Sequence, residues 1–408
     1  MTGMPGGPRL YEIVARALEA DAAQRRRVVE EACGADTGLR DRVLALLETR
    51  DRAGDFLETP AAARLDLLAA PGPPLQPGTA VGRYRLVRVL AAGGSGTVFE
   101  AMQESPHRKV AVKVMALGLG STGAAHRLRE EAEILARLSH PGVAHVYEAG
   151  VHETPEGRGL PWPGLESVGG GLDLLAHARS AGLGLRARIA LIAQVCDAVH
   201  HGHEKGILHG DLKPSNLLVD GSGRPKVIDF GVARALGAEA EAALSGTPAY
   251  MSPEQAEPGA APPDVRSDVY ALGAVLYELL AGRPARDVSG LPLSEALDAA
   301  RAREPARIES HAPRLKGDVA SIVHKALARE PAARYASASA LSDDLRRHLN
   351  HEAVLARAPS ALYRARKFVR RNPALTLAMV AVVAVSVAAA LVSRREARST
   401  ERALQRAE

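Results

Sequence analysis

Residues 209–231 leave this 408-residue chain few architectures to choose from. His209-Gly210-Asp211-Leu212-Lys213-Pro214-Ser215-Asn216 places an acid, a lysine and an amide within eight residues, and Asp229-Phe230-Gly231 follows thirteen residues after Asn216. Between them, Leu217-Leu218-Val219, a Gly-rich turn and Val227-Ile228 read as strand, turn, strand. Such a hairpin brings Asn216 and Asp229 to one cation. A carboxylate to orient a hydroxyl, an ammonium on a moving phosphate and an amide oxygen on Mg²⁺ are the groups phosphoryl transfer needs together. The bland alternative is a chance polar loop ahead of a hairpin, and the second motif weighs heavily against it.

Composition sharpens two of these assignments. Apolar residues make up 46% of the chain and aromatics only 3%, so the core is built from Leu, Val and Ala. Only eight of the 52 basic residues are lysine, so this chain uses Arg wherever Arg suffices. Lys113 and Lys213 both stand where a compact point charge on phosphate is wanted. The net charge of +5 is modest, and the basic excess clusters near residue 367. That clustering suggests a membrane surface; no aromatic–basic interleaving marks a nucleic-acid groove, and no nucleic-acid partner is expected. Cys33 and Cys196 lie far apart, which fits a reducing compartment without a disulfide framework or zinc site.

Along the chain, residues 8–50 read as a small helical N-terminal region, with Leu10, Ile13, Val14, Ala17 and Leu18 on one face. Packing or docking is the expected role. In residues 60–82 an Ala/Leu run gives way to PGPPLQPG, and the segment reads as a Pro-rich linker. Residues 84–115 read as three strands, with AAGGSG interrupting the first two. Residues 124–139 form an amphipathic helix, and 172–204 two more, the second from Leu185 to Glu204. His200, His201 and His203 near its end lack metal-site spacing, and capping or surface roles are expected for them.

At residues 209–231 the sequence resembles the eukaryotic-type (Hanks-type) Ser/Thr protein kinases, and the resemblance extends over residues 84–348. It implies an α+β, two-lobed fold: a small antiparallel β lobe with one helix and a large α lobe, with ATP and Mg²⁺ between them. Against the family pattern GxGxxGxV, Ala91 stands at the first glycine, while Gly93, Gly96 and Val98 match. The resemblance assigns Lys113 to the α- and β-phosphates and Glu131 to the carboxylate that fixes Lys113. Asp211 becomes the base that orients the substrate hydroxyl, Lys213 the γ-phosphate partner, and Asn216 and Asp229 the metal ligands. Leu90, Val98, Ala111 and Leu218 would sandwich the adenine, Leu165 would guard the pocket, and Glu166 and Val168 would supply hinge backbone contacts. Two prolines and a glycine in Leu160-Pro161-Trp162-Pro163-Gly164 are expected to weaken the strand that leads into that hinge. Gly210 replaces the family's arginine, and residues 232–244 contain no Ser, Thr or Tyr. The two absences agree with an enzyme not switched by phosphorylation there. Thr247 should meet the catalytic aspartate, Arg334 should pair with Glu254, and Asp268 should brace the catalytic loop.

Arg357, Arg364, Arg366, Lys367, Arg370 and Arg371 make residues 357–371 a basic juxtamembrane segment. Residues 372–393 then carry no charge over 22 positions, enough for a helix to cross ~30 Å of hydrocarbon. A short charged tail, 394–408, follows. The expectation is a single-pass bacterial membrane protein with its kinase domain in the cytoplasm, where ATP is, acting on Ser/Thr of protein substrates, its own chain included. The rival reading is a catalytically weak pseudokinase scaffold, motivated by Ala91, Gly210 and the proline-rich strand.

Overall fold

The computed structural model describes residues 75–93, 96–115, 135, 138–155, 159–230, 247–257, 263–358 and 360–405, together with Val29, Ala32, Cys33 and Arg40. The chain divides into two compact units, residues 1–75 and 76–408. In the first, the described residues 29, 32, 33 and 40 are helical, and Val29 and Cys33 are buried. The rest of the expected 8–50 helical region lies outside the described residues.

The second unit opens with a six-stranded antiparallel sheet: β1 (Ala80–Val81), β2 (Tyr84–Gly93), β3 (Gly96–Gln103), β4 (Arg108–Met115), β5 (Val146–Glu153) and β6 (Gly159–Glu166), in the order β1-β2-β3-β4-β6-β5. The end of the expected linker therefore joins the sheet: Ala80 and Val81 pair with Arg85 and Tyr84 as a short edge strand. Val110, Val112 and Val114 of β4 are fully buried on one face. The two-residue period of a strand puts Ala111 and Lys113 on the other. The AAGGSG stretch does not interrupt the strands as expected. Small residues fit the ladder, which continues through Ala91↔Val98, Ala92↔Thr97 and Gly93↔Gly96.

The expected weakening at residues 160–164 is also overturned. β6 is a full eight-residue strand between β4 and β5, despite Pro161 and Pro163. Its pairing with β4 covers only Gly164, Leu165 and Glu166, so it stops before the first proline that would have to donate. The β5 ladder runs on to Gly159. Two prolines at alternate positions lose donors on the same edge, so Leu160, Trp162 and Gly164 carry the bonds to β5. Trp162 is 3% exposed, packs edge-on to Tyr84 with ring centroids 5.6 Å apart, and lies flat on Gly150, where a β-carbon would come within 2.7 Å of the indole. Truncating a buried side chain of this size costs roughly 3–5 kcal/mol. That packing holds the strand where its propensity does not.

A three-stranded sheet, β7 (Leu172–Asp173), β8 (Leu217–Val219) and β9 (Pro225–Val227), leads into the helical lobe. Helices α1 (Leu174–Ser180), α2 (Leu185–Glu204), α3 (Pro253–Ala256), α4 (Val265–Ala281), α5 (Leu293–Ala302), α6 (Ile308–His311), α7 (Asp318–Ala326) and α8 (Ala338–Leu349) follow. The face predicted for α2, with Ile189, Ile192, Ala193, Cys196 and Val199, is buried. α4 is buried almost all round, as an apolar helix at the centre of a lobe must be. Beyond the lobe come α9 (Ala361–Arg371) and α10 (Pro373–Gln405). The Asn372-Pro373 step separates them, because proline cannot continue α9 but suits the first turn of α10. The expected tail is continuous with α10 as far as Gln405.

Candidate active site

The catalytic loop is held from below by one buried carboxylate. Asp268 is 2% exposed and sits in the first turn of α4. It accepts hydrogen bonds from the backbone N–H of His209 (2.8 Å) and of Gly210 (2.9 Å) and from His203 Nε2 (2.8 Å). Burial pushes this carboxyl up. The His203 hydrogen bond, the neighbouring His209 and His203 rings and the Gly210 amide outweigh that, and its pKa lies below the ordinary value. Asp268 thus does what the sequence suggests, whereas His203 is not a surface histidine but part of this brace. Its partner lies 65 residues away, so nothing local announces the pairing.

His209 links the loop to the second motif. Its Nε2 lies 3.0 Å from the Ile228 carbonyl and its Nδ1 3.3 Å from the Asp211 amide. A carbonyl can only accept and an amide only donate, so the proton belongs on Nε2. The ring also packs on Phe230 at 5.0 Å. Above it, Lys213 Nζ donates to Asp211 Oδ2 (2.7 Å), and Asn216 Nδ2 donates to the Asp211 carbonyl (2.8 Å). With its nitrogen so engaged, Asn216 leaves its amide oxygen for a cation. The Ile228 N–H donates to the Asn216 carbonyl (2.9 Å), which sets Asp229 beside Asn216 along the chain. Asp229 adopts φ 61°, a left-handed conformation unusual outside glycine. Strain of this kind concentrates at functional sites. Its Oδ2 receives a hydrogen bond from Lys113 Nζ at 2.6 Å. Lys113 thus meets Asp229, Lys213 and Asn216 meet Asp211, and the Ile228–Asn216 backbone bond ties the two groups together. Glu131, expected beside Lys113, lies outside the described residues, as do Gly231 and residues 232–244.

On the strand side, Gly96 (φ +138°) lies so close to β4 that a β-carbon would stand 2.2 Å from the Val114 carbonyl. The hairpin tip needs this glycine to lie over the strand that carries Lys113. Gly93 pairs with Gly96 at the end of β2. Leu90 and Ala91 are exposed, while Val98, Ala111 and Leu218 are half-buried. Ala111 pairs directly with Leu165. Glu166 does more than offer backbone: Lys226 Nζ reaches both its carboxylate oxygens, at 2.7 and 2.9 Å. Its N–H is spent on the His145 carbonyl (2.8 Å), and the Val168 carbonyl is spent on Gly171 (3.0 Å).

On the opposite side, Thr247 and Asp211 line one small cavity with Tyr250, Met251 and Gln255. Gln255, which sequence reasoning passed over, donates to the Gly210 carbonyl at 2.9 Å and accepts from Ser252 in a capping box. Arg334 grips Glu254 with two nitrogens at 2.6 and 2.7 Å, as expected, with its side chain fully buried. Breaking a buried pair of this kind costs roughly 3–5 kcal/mol.

Comparison with known proteins agrees with this geometry. The model of the protein kinase domain family matches residues 84–345. Serine/threonine-protein kinase PknB of Mycobacterium tuberculosis is 39% identical over 277 residues, which cover 66% of this chain and 43% of that one. PknB of Mycolicibacterium smegmatis is 38% identical over 287 residues, covering 69% and 45%. The chain thus matches less than half the length of these curated relatives. The crystal structure of the Mycobacterium tuberculosis PknI kinase domain superimposes with a TM-score of 0.51 at 25% identity, covering 67% of this chain and 98% of that one. The two-lobed fold, the motifs and the family match agree: this chain belongs to the protein kinase family, in its Hanks-type Ser/Thr branch.

Proposed function

We propose that this protein transfers the γ-phosphoryl group of ATP to Ser/Thr hydroxyls of proteins while anchored to a membrane. The observation that carries the proposal is the Lys113–Asp229 contact and the Lys213–Asp211–Asn216 contacts, tied together by the Ile228–Asn216 backbone bond and braced by Asp268. Lys113 holds the α- and β-phosphates and is itself aimed by Asp229 and, on the family pattern, by Glu131. Ala91, Gly93 and Gly96, in the Gly-rich hairpin, cover the nucleotide. Leu90, Val98, Ala111 and Leu218 border its base, with hinge contacts from the backbone of Glu166 and Val168. Asp211 accepts a hydrogen bond from the substrate hydroxyl and aims it, and Lys213 neutralises the phosphate being moved. Asn216 and Asp229 offer hard oxygen donors of the kind Mg²⁺ takes alongside phosphate oxygens. When bound there, the ion neutralises charge on the triphosphate. No covalent enzyme intermediate is needed, since positioning and charge neutralisation lower the barrier.

α10 includes a 23-residue segment, Pro373–Arg395, long and apolar enough to cross a membrane, with mean hydropathy 2.7 over an 18-residue window. We assign it as the single span, with the kinase domain on the ATP-bearing cytoplasmic side. No finding favours the pseudokinase scaffold.

The test uses the full chain in detergent or vesicles and follows transfer of labelled phosphate to a generic basic protein. Lys113→Met and Asp229→Asn are expected to lower it by at least about a thousandfold. Unchanged labelling in both variants overturns the role assignments.

A further inference from the structure

α9 is usually the part of such a chain that one would draw as a tether, yet its surroundings divide it into two working faces. One face is clamped to the helical lobe. Tyr363 donates to Asp318 Oδ1 at 3.0 Å and accepts from the Val354 N–H at 3.1 Å. Lys367 pairs with Asp318, and Arg371 lies 3.6 Å from Glu352. Residues 363, 367 and 371 follow at i, i+4 and i+8, so they form one stripe.

The opposite stripe is apolar and open. At 100° per residue, Ala361, Leu362, Ala365, Phe368 and Val369 cluster on the side away from Lys367. Leu362 is 82% exposed, Phe368 43% and Val369 46%. Arg364 flanks this stripe on one side, and Arg366 and Arg370 flank it on the other. All three are exposed, and none has an acidic partner among the described residues. No acidic residue occurs from 353 to 371. Arg364, Ala365, Phe368 and Val369 also form one wall of an apolar cleft whose other wall is α10, from Thr376 to Leu391.

We propose that α9 is an interfacial helix: its apolar stripe enters the membrane surface, and Arg364, Arg366 and Arg370 bind the headgroups of anionic phospholipids. The inference rests on α10 being a span. Two observations select lipid as the occupant: the stripe runs directly into α10 across one Asn-Pro step, and arginines on both flanks complement a negative leaflet. Arginine stems of this length reach the headgroups while the apolar face stays down. The clamp on the other face then fixes the orientation of the helical lobe over the bilayer instead of leaving it on a loose leash.

Nitroxide labels at Leu362→Cys, at Val383→Cys in the span and at Leu355→Cys in the loop before α9 test this in the full chain reconstituted in vesicles. Cys33 and Cys196 are buried, and the unsubstituted chain gives the labelling baseline. With roughly one-third anionic phospholipid, the Leu362 label is expected to be open to oxygen and shielded from a water-soluble nickel complex. The Leu355 label stays open to nickel. Combining Arg364→Gln, Arg366→Gln and Arg370→Gln, or using purely zwitterionic vesicles, is expected to move the Leu362 label back towards water. Nickel access at Leu362 equal to that at Leu355 overturns the inference, and shielding that ignores lipid charge overturns the headgroup assignment. Spin–spin broadening at Leu362 that vanishes on dilution with unlabelled chain assigns the face to a second copy and also overturns it. A Val383 label that fails to read the bilayer core removes the span itself, and the inference with it.

Discussion

Two sunken carboxylates organise two regions of the helical lobe, and they are satisfied in different ways. Asp268 is held by two backbone amides and the ring of His203, all belonging to the lobe's own interior. Asp318, whose side chain is 9% exposed, is held by Tyr363 and Lys367 of α9, by Arg357 before it (3.6 Å) and by His348 (3.6 Å). Burial pushes Asp318 up as well. The nearby His348 ring, the Lys367 hydrogen bond and charge, and the Tyr363 hydroxyl bring it well below the ordinary carboxylate range. A backbone amide cannot swing away, whereas a lysine or arginine can. The first carboxylate is therefore a fixed brace under the chemistry, and the second a latch that salt or a competing charge can open.

The largest expected effect comes from removing the brace. Asp268→Ala leaves two loop amides and a buried histidine unpaired, and should cost roughly 3–5 kcal/mol of stability. Phosphate transfer should fall at least about a hundredfold, because the loop that aims Asp211 loses its anchor. Asp268→Asn keeps one acceptor oxygen and should fold while retaining most of the activity loss. Thermal unfolding read beside steady-state transfer separates the two effects. Near-normal turnover in folded Asp268→Asn would make Asp268 no more than a second latch.

Opening the latch should do less. Asp318→Asn is expected to cost about 1–2 kcal/mol, because its cations can turn to water, and to leave kcat within about threefold. Hydrogen exchange in residues 361–371 should rise, while residues 209–211 stay protected. Raising salt from about 0.1 to 1 M should reproduce that pattern in the unsubstituted chain. Acid gives the same test through protonation. A carboxyl whose folded pKa is depressed contributes stability at pH values above about 4, and loses it as pH falls below that towards the folded pKa. Acid should therefore destabilise the unsubstituted chain more steeply than Asp318→Asn. Equal slopes would mean that Asp318 is not charged in the latch.

The catalytic loop above the brace was legible in the sequence and the latch was not, for physical reasons. Asp211, Lys213, Asn216 and Asp229 fall within 19 residues, so a short hairpin can bring them together, whereas Asp268 meets residues 58 to 65 positions away and was legible only through the family resemblance. The Asp318 contacts reach residues 30 to 49 positions away on a lobe surface, where charges of either sign are common. Lys226 with Glu166 and Gln255 with Gly210 were missed for the same reason: each pair is set by where two segments cross. The misreading of β6 is of another kind. Proline's cost in a strand depends on whether a neighbour asks for the missing donor, and the β4 ladder ends at Gly164. Sequence supplies the two prolines but not the end of that ladder. Val29 and Cys33, within the expected 8–50 region, and Leu135, within the expected 124–139 helix, are helical and buried, while Glu131 and the rest of the 8–50 region lie outside the described residues.

The smallest effect sharpens the contrast most finely, because it falls on the brace itself. The amide of Gly210 is one of the two that Asp268 holds, and Gly210 has φ +76°. A β-carbon there would meet nothing within 4 Å. The only penalty for a larger residue is therefore the left-handed backbone, about 1 kcal/mol. Gly210→Ala and Gly210→Arg should each lose about that much stability, and the two should agree within about 0.5 kcal/mol, since the longer side chain has open space to enter. Turnover should change by no more than about threefold, because Asp268 still fixes both amides. If Arg loses far more than Ala, the space above the loop is closed in solution. If Ala alone removes activity, the brace does not hold the loop against a strain this small, and the rigid half of the comparison fails.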